Sequence, residues 1–375
     1  MRVLFTCGGT AGHINPALGV AGRIKELIPD AEILFVGAEG HMETELVPRE
    51  GYELKTVRVS GFQRSFKPKK IAENVRAVGQ LVSSCMKAKR YIKEFQPDVA
   101  VGTGGYVCYP VLKMASDMGI PTTVHESNAV PGLTTKMLEK TVDRILVGLE
   151  DSRNFYKNPD KVEVTGTPVR VDFRGESIEK ARRELGFDPE KPVVLAVFGS
   201  LGADYMNRAM IEFIRAMGDR AGFRLIYATG KQYYDGVRQK LDEEGLRGAD
   251  IDVREYVYDM PKVMAAADVI ICRSGASTIS ELTYLGKPAV MVPSPNVVNH
   301  HQEKNARVME KAGAARMLLE GQFDGAKLYE TVKEMLASPK GLEQMHEASL
   351  KIGVNDATDR ITSIILGLAQ KEKTE

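Results

Sequence analysis

The residues with the clearest chemical potential lie in one stretch, Asp268 to Pro288, which reads D-V-I-I-C-R-S-G-A-S-T-I-S-E-L-T-Y-L-G-K-P. Its apolar start, Val269 to Cys272, is typical of a buried parallel strand. A Ser-Gly turn follows, and then a predicted helix that Gly286 and Pro288 should end. The first N–H groups of a helix lack internal acceptors and carry the positive end of its dipole, so this junction predicts a phosphate site.

Glu281 lies about one and a half turns into that predicted helix. Beside a bound phosphate its carboxylate could accept hydrogen bonds from ribose hydroxyls. It could equally be a surface carboxylate, and the stretch by itself leaves both interpretations open.

A second glycine-rich turn, Cys7 to His13 (C-G-G-T-A-G-H), follows a predicted strand near the start of the sequence. Three glycines within five residues allow a bound group to approach the backbone closely. The spacing differs from the G-x-G-x-x-G pattern of dinucleotide-binding proteins, although Glu39, after the next predicted strand, keeps a nicotinamide cofactor open as a weaker alternative. We expect a helix from Pro16 to Leu27, with the proline in its first turn.

The strand–glycine turn–helix pattern occurs twice in each half of the chain. It begins at Val3 and Asp98 in the first half and at Val193 and Asp268 in the second. This duplication predicts an α/β protein of two doubly wound domains. In such sheets ligands bind beyond the carboxyl ends of the strands, which is where all four turns should lie.

The composition is that of an ordinary globular protein, with 375 residues, 43% apolar, 27% charged and a net charge of +1. The balanced charge gives no general attraction to nucleic acid. Four cysteines without metal-ligand spacing are expected to be free thiols in a reducing compartment. The first residues do not have the pattern of a signal peptide and no apolar run reaches membrane-spanning length, so we expect a cytoplasmic protein or one that at most lies on a membrane surface.

Residues 61–90 carry eight basic side chains and one acidic one. Ile71, Val75, Val78 and Val82 recur at helical spacing, which predicts a mostly buried apolar stripe. The basic residues would then form a solvated face. Because Phe62 and Phe66 lie among the charges, attraction to anionic lipid headgroups is the alternative.

Taken in order, the motifs resemble those of the MurG family of glycosyltransferases, which belongs to glycosyltransferase family 28 and has the GT-B fold. The matching motifs are Gly8-Gly-Thr-Ala-Gly-His13, Gly104-Gly-Tyr106, His125-Glu-Ser-Asn128, Gly166-Thr-Pro-Val-Arg170, Gly199-Ser-Leu-Gly202, Arg273-Ser-Gly-Ala276 with Glu281, and His301-Gln302 with Asn305-Ala306. They span nearly the whole chain.

The resemblance implies an inverting transfer of N-acetylglucosamine from UDP-GlcNAc to the C4 hydroxyl of lipid I, giving lipid II in peptidoglycan synthesis. It implies two Rossmann-like domains facing across a cleft: an acceptor and membrane-facing domain at 1–169, a donor domain at 170–350, and a C-terminal helix in 351–375 packing back on the first. No cofactor or catalytic metal is expected. The expected partners are UDP-GlcNAc, lipid I, an anionic membrane surface at the cytoplasmic face, and other cell-wall synthesis proteins, but no nucleic acid.

The resemblance also implies roles for individual residues. The donor contacts would be Arg170, Ser200, Val257 through its backbone, Ala276, Ser277, Thr278, Ile279, Ser280, Glu281, His301 and Gln302. Thr10, Ala11, Gly12 and Asn128 would close over the donor sugar and the acceptor. Ala11 replaces a glycine common in the family, and His300 and His301 replace more usual polar residues; without a third ligand at useful spacing, these histidines do not predict a metal site.

Direct inverting attack needs a base beside the acceptor hydroxyl, and a neutral histidine suits that task near pH 7. His13, at the end of the first glycine turn, is the first candidate and His125 the second. Each could instead be a structural histidine bonded to backbone.

Three other functions remain open from the residues. Another GT-B glycosyltransferase would differ in its acceptor loops, near 104–106 and 125–128. A UDP-GlcNAc 2-epimerase would consume the donor with no acceptor present, and a regulatory nucleotide-binding protein would bind UDP without forming product.

Overall fold

The computed structural model describes residues 1–60, 68–128, 130–199, 201–218, 222–297 and 300–371, with the backbone alone at 68–76, 151 and 371. The chain divides into two units, Met1–Val171 with Asp356–Glu375, and Asp172–Asn355. The first division, after Val171, lies two residues beyond the boundary expected after residue 169. The second, after Asn355, lies five residues beyond the boundary expected after residue 350.

The first unit is built on a parallel sheet with seven described strands in the order β3-β2-β1-β4-β5-β6-β7. Its strands are β1 (Arg2–Thr6), β2 (Glu32–Ala38), β3 (Glu53–Val57), β4 (Val99–Gly102), β5 (Thr122–Glu126), β6 (Arg144–Val147) and β7 (Val162–Val164). Its helices are α1 (Ala11–Leu27), α2 (Glu43–Arg49), α3 (Pro68–Phe95), α4 (Cys108–Asp117), α5 (Leu133–Leu138) and α14 (Ala357–Lys371), with 3-10 turns at Glu150–Phe155 and Pro159–Lys161.

The second unit repeats this plan with six described strands in the order β10-β9-β8-β11-β12-β13, again parallel. Its strands are β8 (Val193–Val197), β9 (Arg224–Ala228), β10 (Ile251–Arg254), β11 (Val269–Cys272), β12 (Ala289–Met291) and β13 (Ala315–Met317). Its helices are α6 (Ile178–Leu185), α7 (Asp204–Met217), α8 (Tyr234–Glu243), α9 (Met260–Ala266), α10 (Ala276–Leu285), α11 (His301–Lys311), α12 (Gly325–Leu336) and α13 (Pro339–Ile352); a 3-10 turn at Val171–Phe173 spans the division.

In each sheet the strand order reverses beside the first strand, between β1 and β4 and between β8 and β11. Central strands are apolar throughout because helices cover both faces, as Val3, Leu4 and Phe5 of β1 show, all fully buried. The two doubly wound α/β domains predicted from the sequence are therefore confirmed. Cys7, Cys108 and Cys272 are buried free thiols, as expected.

Helix α1 begins five residues before the predicted start at Pro16. The carbonyl of Thr10 accepts hydrogen bonds from the N–H groups of His13 and Ile14, at 3.0 and 3.2 Å, so the helix is already closed at Ala11. Pro16 lies in the second turn, where it removes one helical donor but packs in the core. The end of the glycine turn therefore forms the first turn of the helix.

The prediction of a mostly buried stripe on α3 is wrong for its described members. Val78 and Val82 are 51% and 57% exposed, and Met86 follows them at 64%. The buried face consists instead of Ala77, Ser84, Ala88 and Ile92. Small residues allow α3 to pack closely on its neighbours. A prediction from the spacing of large apolar residues overlooks such a face, because alanine and serine are not strongly apolar. The side chains of Ile71 and Val75 lie outside the described residues.

The first unit is completed by α14, from the far end of the sequence. The hydroxyl of Thr358 donates to the carbonyl of Val169 at 2.9 Å and accepts from the Val169 N–H at 3.1 Å. Arg23 of α1 pairs with Asp359 at 2.6 Å. None of the described helices combines the length and apolar character needed to cross a membrane.

Candidate active site

Two glycine turns interlock at the point where the first sheet reverses its strand order. The N–H of Gly8, after β1, donates to the carbonyl of Gly104, after β4, at 3.1 Å. Gly105 has φ +93°, and a Cβ there would lie 2.5 Å from the Gly8 carbonyl oxygen. Only glycine therefore allows the turns to meet, and their contact fixes the backbone around His13.

The imidazole of His13 is held by this pair of turns. Nδ1 lies 2.9 Å from the carbonyl oxygen of Gly8, and the ring packs on Gly104. A carbonyl can only accept, so Nδ1 carries the proton and Nε2 keeps its lone pair in the neutral ring. Nε2 has no hydrogen-bond partner among the described residues, and His13 is partly exposed. This geometry suits a general base.

Thr10, Ala11 and Gly12 lie on the same side of the turn, around the first turn of α1. Thr10 is exposed, and Ala11 and Gly12 are partly exposed. Their backbone and the Thr10 hydroxyl are accessible beside His13, which is the placement that contact with an acceptor requires.

His125 is placed differently. It is 1% exposed on β5, with Nε2 donating to the carbonyl of Gly166 at 2.9 Å and Nδ1 lying 3.3 Å from the Ser127 hydroxyl. Burial lowers the pKa of His125, which keeps the ring neutral. Both ring nitrogens of His125 are therefore engaged inside the protein, so His13 stays the first candidate base and His125 the second.

Asn128 is organised by a buried acid that the sequence did not single out. One oxygen of Glu126 accepts from the Asn128 N–H and side-chain amide, at 3.1 and 2.8 Å; the other accepts from the Gly132 N–H and the Thr135 hydroxyl. The amide nitrogen of Asn128 is thereby turned inward, so its Oδ1 remains to meet a substrate donor. The available signal was an acid at the end of a strand, two residues before Asn128.

In the second unit, α10 begins directly after the turn that follows β11, as predicted. Gly275 precedes it and has no side chain with which to cap the helix, and Gly286 ends it at φ 66°. Ala276, Ser277, Thr278, Ile279 and Ser280 form its first turns and are all partly exposed. The N-terminus of α10 therefore retains the character of a phosphate site.

Glu281 lies on the inner side of α10 and is only 9% exposed. Burial raises the pKa of the nearby Cys272 thiol to about 12, and the Glu281 carboxylate makes a smaller contribution in the same direction. This low exposure does not fit a solvated surface carboxylate, and a contact between Glu281 and ribose hydroxyls stays a prediction.

Buried hydrogen bonds join the α10 turn to α11. The hydroxyl of Ser274 donates to the carbonyl of Gln302 at 2.8 Å, and the side-chain amide of Asn305 donates to the carbonyl of Ser274 at 3.1 Å. Oε1 of Gln302 accepts from the Ser294 N–H at 2.9 Å, so its NH₂ group remains to donate to a ligand. His301, beside it, is partly exposed.

Arg273, in the same turn after β11, makes further contacts that hold this turn in place. Its guanidinium lies 2.6 Å from Glu320 and donates to the carbonyl of Val292 at 3.1 Å, with both charged side chains largely buried. The turns after β11 and β12 are therefore fixed to each other. The sequence motif contained Arg273 but gave no indication of its partner.

The remaining predicted residues are placed as follows. Arg170 belongs to the first unit and pairs with Glu50 at 2.9 Å. Val257, after β10, is 2% exposed, so a ligand would meet its backbone and not its side chain. Ser200 lies outside the described residues. Within the described residues, no group of three His, Cys, Asp or Glu side chains is arranged to hold a metal ion.

Two parallel α/β units, each with glycine turns or a bare helix N-terminus at the reversal of strand order, define a two-domain, Rossmann-like α/β protein. Residues 3–147 match the glycosyltransferase family 28 N-terminal domain, and residues 193–361 match the glycosyltransferase family 28 C-terminal domain. The chain belongs to glycosyltransferase family 28.

Named relatives and solved structures agree with this assignment. A UDP-N-acetylglucosamine–N-acetylmuramyl-(pentapeptide) pyrophosphoryl-undecaprenol N-acetylglucosamine transferase of Acetivibrio thermocellus is 44% identical over 97% of each chain. A Bacillus cereus enzyme of the same name, numbered 1, is 38% identical over 99% of this chain and 100% of its own. The structure of Acinetobacter baumannii MurG has a TM-score of 0.69 at 24% identity, covering 98% of this chain and 99% of that one. A Neisseria meningitidis UDP-GlcNAc 2-epimerase, at 14% identity and TM-score 0.65, shares the fold.

Proposed function

We propose that this protein transfers N-acetylglucosamine from UDP-GlcNAc to the C4 hydroxyl of lipid I, forming lipid II and UDP. The observation that carries the proposal is the 44% identity, over 97% of both chains, to a relative named for that reaction. The geometry of the two candidate sites supports the same chemistry.

In this proposal the second unit holds the donor. The N–H groups at the start of α10 and the turn containing Ser200 bind the diphosphate, and Glu281 accepts from the ribose hydroxyls. The backbone at Val257 contacts the uracil, and Gln302 with His301 reads the sugar hydroxyls. We also assign a donor contact to Arg170. The helix N-terminus stabilises the negative charge that grows on UDP as it leaves.

The first unit supplies the acceptor side. The acceptor's C4 oxygen attacks C1 of N-acetylglucosamine from the face opposite UDP, the C1–O bond to the diphosphate breaks, and Nε2 of His13 takes the hydroxyl proton. Thr10, Ala11, Gly12 and Asn128 position the acceptor. Because the attacking and leaving oxygens lie on opposite faces, the anomeric centre inverts.

The decisive experiment supplies UDP-GlcNAc and a lipid I analogue and looks for the β-linked disaccharide. We expect that product, together with UDP. Loss of UDP-GlcNAc in the absence of acceptor would instead indicate an epimerase. Product formed only with a different acceptor would indicate another glycosyltransferase. Binding of UDP without any product would indicate a regulatory protein.

His13→Ala tests the base. Losing a positioned base should lower kcat by about 10²–10⁴-fold while UDP binding stays near normal. A variant that binds both substrates and turns over at nearly the normal rate would remove His13 from the mechanism.

The proposed place of action is the cytoplasmic face of the membrane, with the protein bound peripherally. Val78, Val82 and Met86 form an exposed apolar stripe on α3, and Lys87, Lys89 and Arg90 are exposed beside its end. An apolar stripe flanked by basic residues suits an anionic lipid surface.

A further inference from the structure

Glu43, in the first turn of α2, is completely buried although it is an acid at the start of a short helix. Its Oε1 accepts from the N–H of Ala38 at 2.7 Å, and its Oε2 accepts from the N–H of Gly9 at 3.1 Å. A buried carboxylate needs such donors, because an unpaired one would be strongly destabilising.

The backbone around Glu43 leaves room for this side chain and for little else. A Cβ at Gly8 would lie 2.4 Å from the Glu43 carboxylate oxygen, and a Cβ at Gly37 would lie 2.5 Å from its Cγ. Two glycines, at the ends of two neighbouring strands, thus let the carboxylate reach the first glycine turn. Its position there is fixed by packing as well as by hydrogen bonds.

The two hydrogen bonds at the turn involve one peptide group. The N–H of Gly9 donates to Glu43, and the carbonyl oxygen of the same peptide, that of Gly8, accepts from Nδ1 of His13 at 2.9 Å. Glu43, the Gly8–Gly9 peptide and the His13 imidazole therefore lie in series. A carboxylate on the N–H side polarises a peptide and makes its carbonyl oxygen a stronger acceptor.

We infer that Glu43 is a positioning residue that acts on His13 through the Gly8–Gly9 peptide. It keeps the proton on Nδ1 and the lone pair on Nε2, and it stabilises the imidazolium that forms when Nε2 takes a proton. A carboxylate bonded directly to Nδ1 does the same in other histidine-dependent enzymes. The expected effect of Glu43 on catalysis rests on the proposed function. The coupling between Glu43 and His13 rests only on the two hydrogen bonds of the Gly8–Gly9 peptide.

Three other buried titratable groups of the described residues lie around this series: Cys7, Cys108 and His125. Cys7 follows β1 and Cys108 begins α4, and burial raises the pKa of both thiols; His125 lies on β5, and burial lowers its pKa. Burial thus favours the neutral form of each of these groups.

Glu43→Gln tests the inference while keeping the side-chain shape. We expect kcat to fall about tenfold, as for other residues that orient a catalytic group, with the KM for UDP-GlcNAc changed less than about twofold. Because the imidazolium loses its support, the acid limb of kcat against pH should move about half a unit to lower pH. Glu45→Gln, an exposed change in the same helical turn, should alter neither quantity. A lower kcat with an unmoved acid limb would reduce Glu43 to a scaffold residue and overturn the inference.

A second measurement uses the unaltered protein and covers the case in which Glu43→Gln fails to fold. The amide proton of Gly9, followed by NMR, should shift downfield as His13 becomes protonated, with the same midpoint as the His13 ring resonances. A Gly9 shift that stays flat through the His13 titration would overturn the inference even if His13→Ala abolishes turnover. Conversely, a coupled titration with an active His13→Ala variant would refute the base and leave the coupling intact.

Discussion

At the scale of single residues, the second unit contains a buried cation that the reaction does not use. Nζ of Lys287 donates to the carbonyls of Ala265 and Ala267, at 2.6 and 2.9 Å, where α9 ends. Burial is the main reason that the pKa of Lys287 is lowered to about 8, while the neighbouring Asp268, paired with Arg182, opposes the shift. Lys287 supplies donors to carbonyls that the end of a helix leaves without partners.

This lowered pKa makes stability depend on pH in a definite direction. The folded state binds fewer protons than the unfolded state between about pH 8 and 10.5, so Lys287 destabilises fully below pH 8 and progressively less as the pH rises. Relative to Lys287→Met, the free energy of unfolding of the wild type should therefore increase by about 2.5 kcal/mol from pH 7 to pH 10. Urea unfolding at both values measures this.

Lys340→Met, an exposed change, controls for the other groups that titrate in this range, and it should give a difference that does not vary with pH. A constant difference for Lys287→Met as well would show that the Lys287 ammonium is not desolvated in the folded protein.

The glycine turn that surrounds His13 could be predicted from the sequence, but the contact of Glu43 with that turn could not. Three close glycines after an apolar run indicate a turn with a functional backbone, and a histidine at its end stands out. Glu43 lies in M-E-T-E-L, which is typical of an exposed helix start. Its partners are Gly9, in the turn after β1, and Ala38, at the end of β2, and no local pattern indicates that they meet.

At the scale of elements, the proposed donor site depends on two helices, α10 and α11, that buried polar groups fix to each other. The Asn305 amide is 8% exposed and donates to the carbonyl of Ser274, which is fully buried. Leaving a buried carbonyl without its hydrogen-bond donor costs about 1–3 kcal/mol. Each 1.4 kcal/mol corresponds to a factor of about ten in an equilibrium constant.

Asn305→Ala should therefore loosen the α10 turn relative to α11. We expect the KM for UDP-GlcNAc to rise about five- to tenfold, measured by initial rates at saturating acceptor. Thr331→Ala removes a comparable buried bond within α12, to the carbonyl of Lys327, and should leave this KM unchanged. Equal effects of both variants would point to general destabilisation and not to a preorganised donor site.

The exposed stripe of α3 leads to a prediction about membranes. Val82→Asp combined with Met86→Asp should reduce co-sedimentation with phosphatidylglycerol vesicles about tenfold, because charge replaces apolar contact. Val308→Asp, at a residue 63% exposed on the second unit, is the matched control. Unchanged partitioning of the double variant would refute the role of the stripe.

The basic residues of the same region give a companion test. We expect Lys67→Glu, Lys69→Glu and Lys70→Glu together to weaken vesicle binding through charge, and added salt should mimic the effect. These three side chains lie outside the described residues, so this expectation rests on the sequence.

The elements were largely predictable, and the reason is physical. Parallel strands covered on both faces need continuous apolar runs, and their turns need glycine, so the four strand–turn–helix units are visible in the sequence. The buried face of α3 could not be predicted in this way, because Ala77, Ser84 and Ala88 pack closely without being strongly apolar. Helix α1 starts early because Thr10 caps it with its carbonyl, which residue type does not reveal.

At the scale of the whole molecule, α14 belongs to the unit that contains residues 1–171. The Thr358 hydroxyl, which is 5% exposed, satisfies both the N–H and the carbonyl of Val169. This contact joins the last helix to the segment that carries Arg170. Gly19 allows the approach, because a Cβ there would lie 2.7 Å from the Val169 carbonyl oxygen.

Thr358→Val keeps the side-chain shape and leaves two buried backbone groups without partners. We expect it to destabilise the first unit by about 2–3 kcal/mol. Hydrogen exchange measured by mass spectrometry should be faster in α1, β4 and α14, with the second unit unaffected. Thr44→Val, at an exposed threonine of α2, should change neither unit. Uniform acceleration in both units would show that α14 stabilises the chain generally.

The return of α14 has a consequence for how the protein is made. All seven strands of the first sheet are translated before residue 172, but the helix that covers α1 and β4 leaves the ribosome only after the whole second unit. The second unit can therefore fold while the first still exposes apolar surface. The earliest-synthesised half of the enzyme is the last to be finished, and during synthesis it would be the half that depends on chaperones.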